Sequence, residues 1–219
     1  QLLTLLYNIV DRIYIARIPG VGTAALGAVG LCFPIIVIIT AFSNLFGTGG
    51  APLFSIARGR KDPEQAGMLL NTAFFLLSVC ALILMVIGLV FARPILVLFG
   101  ASDSALIYAY PYLMIYLLGT FPSMLTTGMN PFINAQGYST TGMLSVVIGA
   151  AANLILDPVF IFIFRLGAPG AAIATIISQF LSASFVLHFL RKKAEFKIRF
   201  LTPEEIRHCG SCAANIVSL

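Results

Sequence analysis

Apolar residues in this chain run in long blocks, separated by short polar punctuation rather than alternating at a strand or helix period. Crossing about 30 Å of hydrocarbon takes roughly 20 helical residues, so block length predicts membrane spans. Six are expected: from before Gln1 to about Ala16, within Ala24–Ala57, and over Met68–Ala92, Ala105–Ile133, Met143–Phe164 and Ala171–Leu190. The stretch from Ser104 to Leu156 carries no charge and is too long for one crossing. The polar cluster NAQGYSTTG, Asn134 to Gly142, is the turn signal that folds it back. Three segments read as non-spanning. Ala57–Gly67 is a turn with a helix cap at Asp62–Pro63–Glu64, and Arg93–Ser102 is an amphipathic interfacial piece. Ala194–Cys212 is a linker or surface helix, with a helix start at Thr202–Pro203–Glu204–Glu205.

Composition turns this pattern into a fold class. Hydrophobic residues make up 59% of the 219 positions and charged ones 10%, against about 45–50% and about 25% in soluble domains. The expectation is an all-α integral membrane protein with the lipid bilayer as its solvent. The chain opens without Met directly onto an apolar block and shows no signal peptide, so it reads as part of something longer. A net charge of +5 does not make nucleic acid an expected partner, because the basic residues sit in short loops beside spans. Arg58, Arg60, Lys61, Arg191, Lys192, Lys193, Lys197, Arg199 and Arg207 lie on one side, and Arg17, Arg93 and Arg165 on the other. That bias puts the first set, and the start of the first helix, in the cytoplasm of a plasma (inner) membrane. Cys32 and Cys80 read as small apolar fillers.

Candidate chemistry is sparse. Asp11, Arg12 and Asp157 are the embedded acid or base side chains. An ionised Asp at the middle of a bilayer helix costs about 2.5–3.5 kcal/mol, and such residues face bundle interiors or wet cavities. Asp11 lies six residues before Arg17 and Asp157 eight before Arg165, which are depths of about 9 and about 12 Å below the same interface. The two carboxylates are expected at one level, where they can share a cation or a proton. Asn153, four residues before Asp157, lies on the same helix face. Pro158 removes a donor and frees the carbonyl of Leu154, marking a helix bend. Asn8, Asn130 and Asn134 are further candidates to line a cavity. Cys209–Gly210–Ser211–Cys212 beside His208 has CxxC spacing but no surrounding redox unit, and His188 reads as interfacial. No catalytic constellation appears, so an enzyme is not expected, nor any cofactor or metal beyond a coupling ion.

The stretches LYNIVDRIYIARIPGVGTAALGAVGLCFPI and INAQGYSTTGMLSVVIGAAANLILDPVFIFIFRLGAPGAAIATIISQ resemble the amino-terminal half of a multidrug and toxic compound extrusion (MATE) transporter. The resemblance implies a twelve-helix protein of two six-helix lobes that exports organic, often cationic compounds in exchange for protons or sodium. It implies residues 1–193 as the first lobe, 194–219 as the inter-lobe linker and start of the missing carboxy-terminal lobe, and small organic molecules as substrates. It also implies a coupling site at Asp11, Asn153, Asp157 and Thr175, with H+ or Na+ as the bound ion. One position departs from the pattern: family members usually follow the helix-one Asp with a small or polar uncharged residue, whereas this chain has Arg12. The alternatives are a lipid-linked oligosaccharide flippase of the same superfamily, which would need cationic side chains in its cavity, and a non-transporting membrane scaffold.

Overall fold

Hydrocarbon offers a backbone no partner but itself, so a chain this apolar is driven to satisfy its amides within helices. The computed structural model describes residues 10–20, 22–199 and 216, and every regular element among them is helical. Residues 10–16 form α1. It is followed by α2 (Gly22–Gly30), α3 (Phe33–Gly59), α4 (Pro63–Leu98), α5 (Asp103–Leu118), α6 (Thr120–Ala135), α7 (Ser139–Pro158), a π turn (Val159–Ile163) and α8 (Ala168–Lys192). Four of these are long and apolar enough to cross a membrane, or five if the α5–α6 pair is one span. The expected first span falls largely on residues 1–9, outside the described residues.

The Asp62 carboxylate accepts the Gln65 amide at 3.0 Å and caps α4, as its Asp–Pro–Glu start predicts. Along α4, Val79, Leu82, Ile83, Val86, Ile87, Val90 and Phe91 are exposed. The 3.6-residue period that the sequence hides in a uniformly apolar block thus appears as a stripe turned towards lipid. The opposite face packs on α3, α5 and α6, while α7 packs on α8. At the crossing of α3 and α6 the backbones nearly touch: a Cβ on Gly47 would stand 2.7 Å from the carbonyl oxygen of Gly128. Small residues permit such approach in membrane bundles, where packing replaces the hydrophobic drive.

Several expectations need correcting. The second span, α3, falls largely within the expected block, but the block itself is not one helix. It breaks at Leu31–Cys32, where Pro34 has no amide to offer Gly30, and the residues of the break make short local bonds from Leu31 to Ala28 and Cys32 to Val29. Arg93–Ser102 is not a separate interfacial piece. α4 continues through Pro94 to Leu98 and ends because Gly100 adopts φ 88°, letting the Ala101 amide reach back to the Leu96 carbonyl at 3.0 Å. Its 36 residues give about 54 Å, well beyond the hydrocarbon thickness. The expected fourth helix bends by 55° at Gly119. Pro122 cannot donate to the Leu118 carbonyl. A side chain at Gly119 would also collide with Gln179 Oε1 at 2.5 Å. The helix start expected at Thr202–Glu205 and the CxxC of Cys209–Cys212 lie outside the described residues.

Candidate functional site

Asn153 and Asp157 leave α7 one turn apart on a single face, both buried, at 3% and 1% exposure. The Asn153 Nδ2 donates to Asp157 Oδ1 at 3.1 Å. The same amide reaches Thr175 Oγ1 of α8 at 3.4 Å, and the Thr175 hydroxyl donates to the Ala171 carbonyl at 2.9 Å. From α1, the Asp11 carboxyl comes within hydrogen-bonding reach of Asp157. The four side chains singled out in the sequence therefore meet in one place. Asp11 Oδ1 and Asp157 Oδ2 are buried with no protein donor. Two adjoining carboxyl groups with acceptor atoms left over need something positive between them, and a proton or a small hard cation meets that need.

The walls of the site come from places the sequence reading did not single out. Tyr112 of α5 is buried within electrostatic range of both acids, and of Cys32 and Tyr116. It lies ten residues beyond the Ser102 cap of α5, a depth of about 15 Å. The same count that matched the acids thus carries the signal for Tyr112. Cys32, at the α2–α3 break, directs its thiol to the Ala109 carbonyl of α5 at 3.7 Å. Tyr14 meets Phe162 edge to face with centroids 6.3 Å apart, holding α1 against the π turn. Beyond Asp157 the chain widens into that turn, where Phe164 N donates to Val159 O at 2.9 Å. Pro158 is accommodated here by a looser helix over a continuous Ser139–Ile163 segment.

Among the described residues no ion pair joins Arg12 to Asp11, although its charge is felt there. Its guanidinium lies 5.3 Å from the centroid of the exposed Phe33 ring, so a cation–π contact occupies it. Asn130 and Asn134 do not join the acids. Asn130 Nδ2 meets Ser145 Oγ at 3.1 Å, and both amide oxygens crowd Gly142, at the far end of α7 from Asp157. Asn8 lies outside the described residues. His188 is exposed near the end of α8.

The MatE family model matches residues 1–159. The chain belongs to the MatE family. Among curated MatE-like relatives, it is 30% identical over 206 residues to a protein named multidrug export protein MepA from Staphylococcus haemolyticus, covering 93% of this chain and 45% of the relative. It is 28% identical over 202 residues to one named FAD transporter from Shewanella oneidensis, covering 88% of this chain and 44% of that one. A crystal structure titled MATE in the bent conformation superposes with a TM-score of 0.85 at 25% identity, over 99% of this chain and 49% of that one. The chain spans about half the length of the relatives it matches. This MatE chain is thus a multi-pass membrane protein of a transporter family.

Proposed function

We propose that this chain is the amino-terminal lobe of an ion-coupled multidrug efflux antiporter, exporting organic, often cationic compounds in exchange for H+ or Na+. The lobe is residues 1–193, followed by the inter-lobe linker, and the start of its first membrane span faces the cytoplasm. The observation that carries the reading is the pair of buried carboxyl oxygens, Asp11 Oδ1 and Asp157 Oδ2, with no protein donor. An ion arriving there binds α1 to α7 through Asp11 and Asp157, while Asn153 and Thr175 orient the Asp157 carboxyl. When the ion leaves, the two acids repel, and α1 is free to shift against the π turn beside Pro158. Names of relatives in both multidrug export and FAD transport support a shared lobe rather than one shared substrate. The test is Asp157→Asn in the full-length protein reconstituted in vesicles, with H+ and Na+ gradients imposed separately. Loss of gradient-driven drug export is expected in whichever arm drives the wild type. Export that persists unchanged sinks the mechanism.

A further inference from the structure

Residues 194–199, which follow the Lys193 cap of α8, are not a loose connection. They cross the ends of four helices, on the side rich in Lys and Arg, bending over 194–196. Phe196 and Ile198 turn inward, while Glu195, Lys197 and Arg199 are exposed. Phe196 packs edge to face on Phe54 of α3 with centroids 5.2 Å apart, and Phe54 in turn packs on Phe132 of α6 at 5.8 Å. Ile198 is 7% exposed, and its amide donates to the Leu190 carbonyl of α8 at 3.2 Å.

Two side-chain amides hold the backbone itself. The Phe196 amide donates to Gln136 Oε1 at 2.9 Å and the Arg199 amide to Asn71 Oδ1 at 2.7 Å. Both side chains are 3% exposed, one at the end of α6 and the other on α4. Asn71 spends its own donor on the Gly67 carbonyl of its helix, at 2.8 Å, so its oxygen is left facing the crossing chain. Arg58 of α3 completes the join, donating to Glu195 at 2.8 Å and to the Ala135 carbonyl at the end of α6 at 3.0 Å. Those two charged side chains remain partly exposed, and exposed ion pairs hold little. The bonds to the buried side-chain amides matter more, because burial shields them from competing water while the segment is in place.

We propose that residues 194–199 form a clasp that fastens the connection between the two halves to the first lobe, by its backbone, through Asn71 and Gln136. The clasp ties α3, α4, α6 and α8 together, so residues 194–199 move with the first lobe. This holds whichever ion or substrate the protein carries.

Limited trypsin digestion of the full-length protein, with cleavage after Lys197 followed by mass spectrometry and cleavage after the exposed turn residue Lys61 as internal control, tests it. In the wild type the bond after Lys197 is expected to be cut far more slowly than that after Lys61. Gln136→Leu and Asn71→Leu are each expected to speed cleavage after Lys197 by about 5–30-fold without changing Lys61, since cleavage follows the open population. Equal wild-type rates at the two lysines, or no acceleration in either variant, overturns the clasp. Hydrogen exchange on the wild type needs no variant to fold: the amides of Phe196, Ile198 and Arg199 are expected to be protected, and exchange at unfolded-chain rates overturns the proposal equally.

Discussion

Gly47 and Gly128 meet where α3 crosses α6, and the two differ in what surrounds them. A methyl on Gly47 would stand 2.7 Å from the Gly128 carbonyl oxygen and 3.0 Å from its Cα, both backbone atoms. A carbon–oxygen contact settles near 3.3 Å, so the helices must part by roughly 0.6 Å along most of their shared seam. Overpacking of this kind costs about 1–3 kcal/mol. A methyl on Gly128 instead meets the Leu77 side chain, at 2.5 Å from Cδ1 and 2.6 Å from Cδ2. Leu77 is fully buried, so Gly128→Ala alone costs a similar amount, and Leu77→Ala alone costs about 2–5 kcal/mol by leaving a cavity. The double variant Gly128→Ala/Leu77→Ala places the new methyl in that cavity. It is expected to cost less than the two singles added, by at least about 0.5 kcal/mol, whereas Gly47→Ala/Leu77→Ala adds up. The assay is the midpoint of heat-induced loss of the monodisperse peak of detergent-purified full-length protein, where each kcal/mol lowers Tm by roughly 2–4 °C. Wild-type stability of Gly47→Ala, or strict additivity of the Gly128/Leu77 pair, refutes the reasoning.

Two predictions complement the acid-site and clasp tests given above. Phe33→Ala removes the ring beneath the Arg12 guanidinium and frees that cation to compete for Asp11. Gradient-driven export is expected to fall in the single variant and to recover in Arg12→Gln/Phe33→Ala, and unchanged export in Phe33→Ala defeats the idea. Asp62→Ala removes the side chain that accepts the Gln65 amide at the start of α4. A loss of about 1 kcal/mol is expected, read as a Tm lower by roughly 2–4 °C, and an unaltered Tm counts against it.

The turn at Asn134–Gly142 and the Asp62 cap were legible because each rests on local composition. The meeting of Asp11 with Asp157 was legible as matching depth below a common interface, since helices crossing one membrane share its coordinate. Thr175 came from the family resemblance, whereas Tyr112 was overlooked although the same depth count reaches it. The helix breaks were not legible. Pro52, Pro94, Pro111 and Pro131 all sit inside unbroken helices, while Pro34 and Pro122 accompany breaks. Nothing local distinguishes them. Around Pro52, Gly47 and Gly50 are pressed against α6, and α3 runs on unbroken there. At Pro122 the neighbouring Gly119 is pressed by Gln179 and Ile176 of α8 instead, and the helix gives way. Arg12, as an immediate neighbour, does not share Asp11's helix face, but the ring at the start of α3 that takes up its guanidinium was not legible.

The interruptions at Leu31–Cys32, Gly119 and the π turn give the lobe an uneven mechanical compliance. A helix with an intact ladder of hydrogen bonds resists bending, and one interrupted at a proline or widened to π spacing bends where the ladder fails. Here the interruptions fall beside or just beyond the acid pair, while the opposite end is stiffened by the Gly47–Gly128 seam and by the chain that crosses four helix ends. A force applied at Asp11 and Asp157 is therefore absorbed nearby as rotation of short segments. The stiff end moves as one block and passes to the rest of the protein whatever displacement it receives.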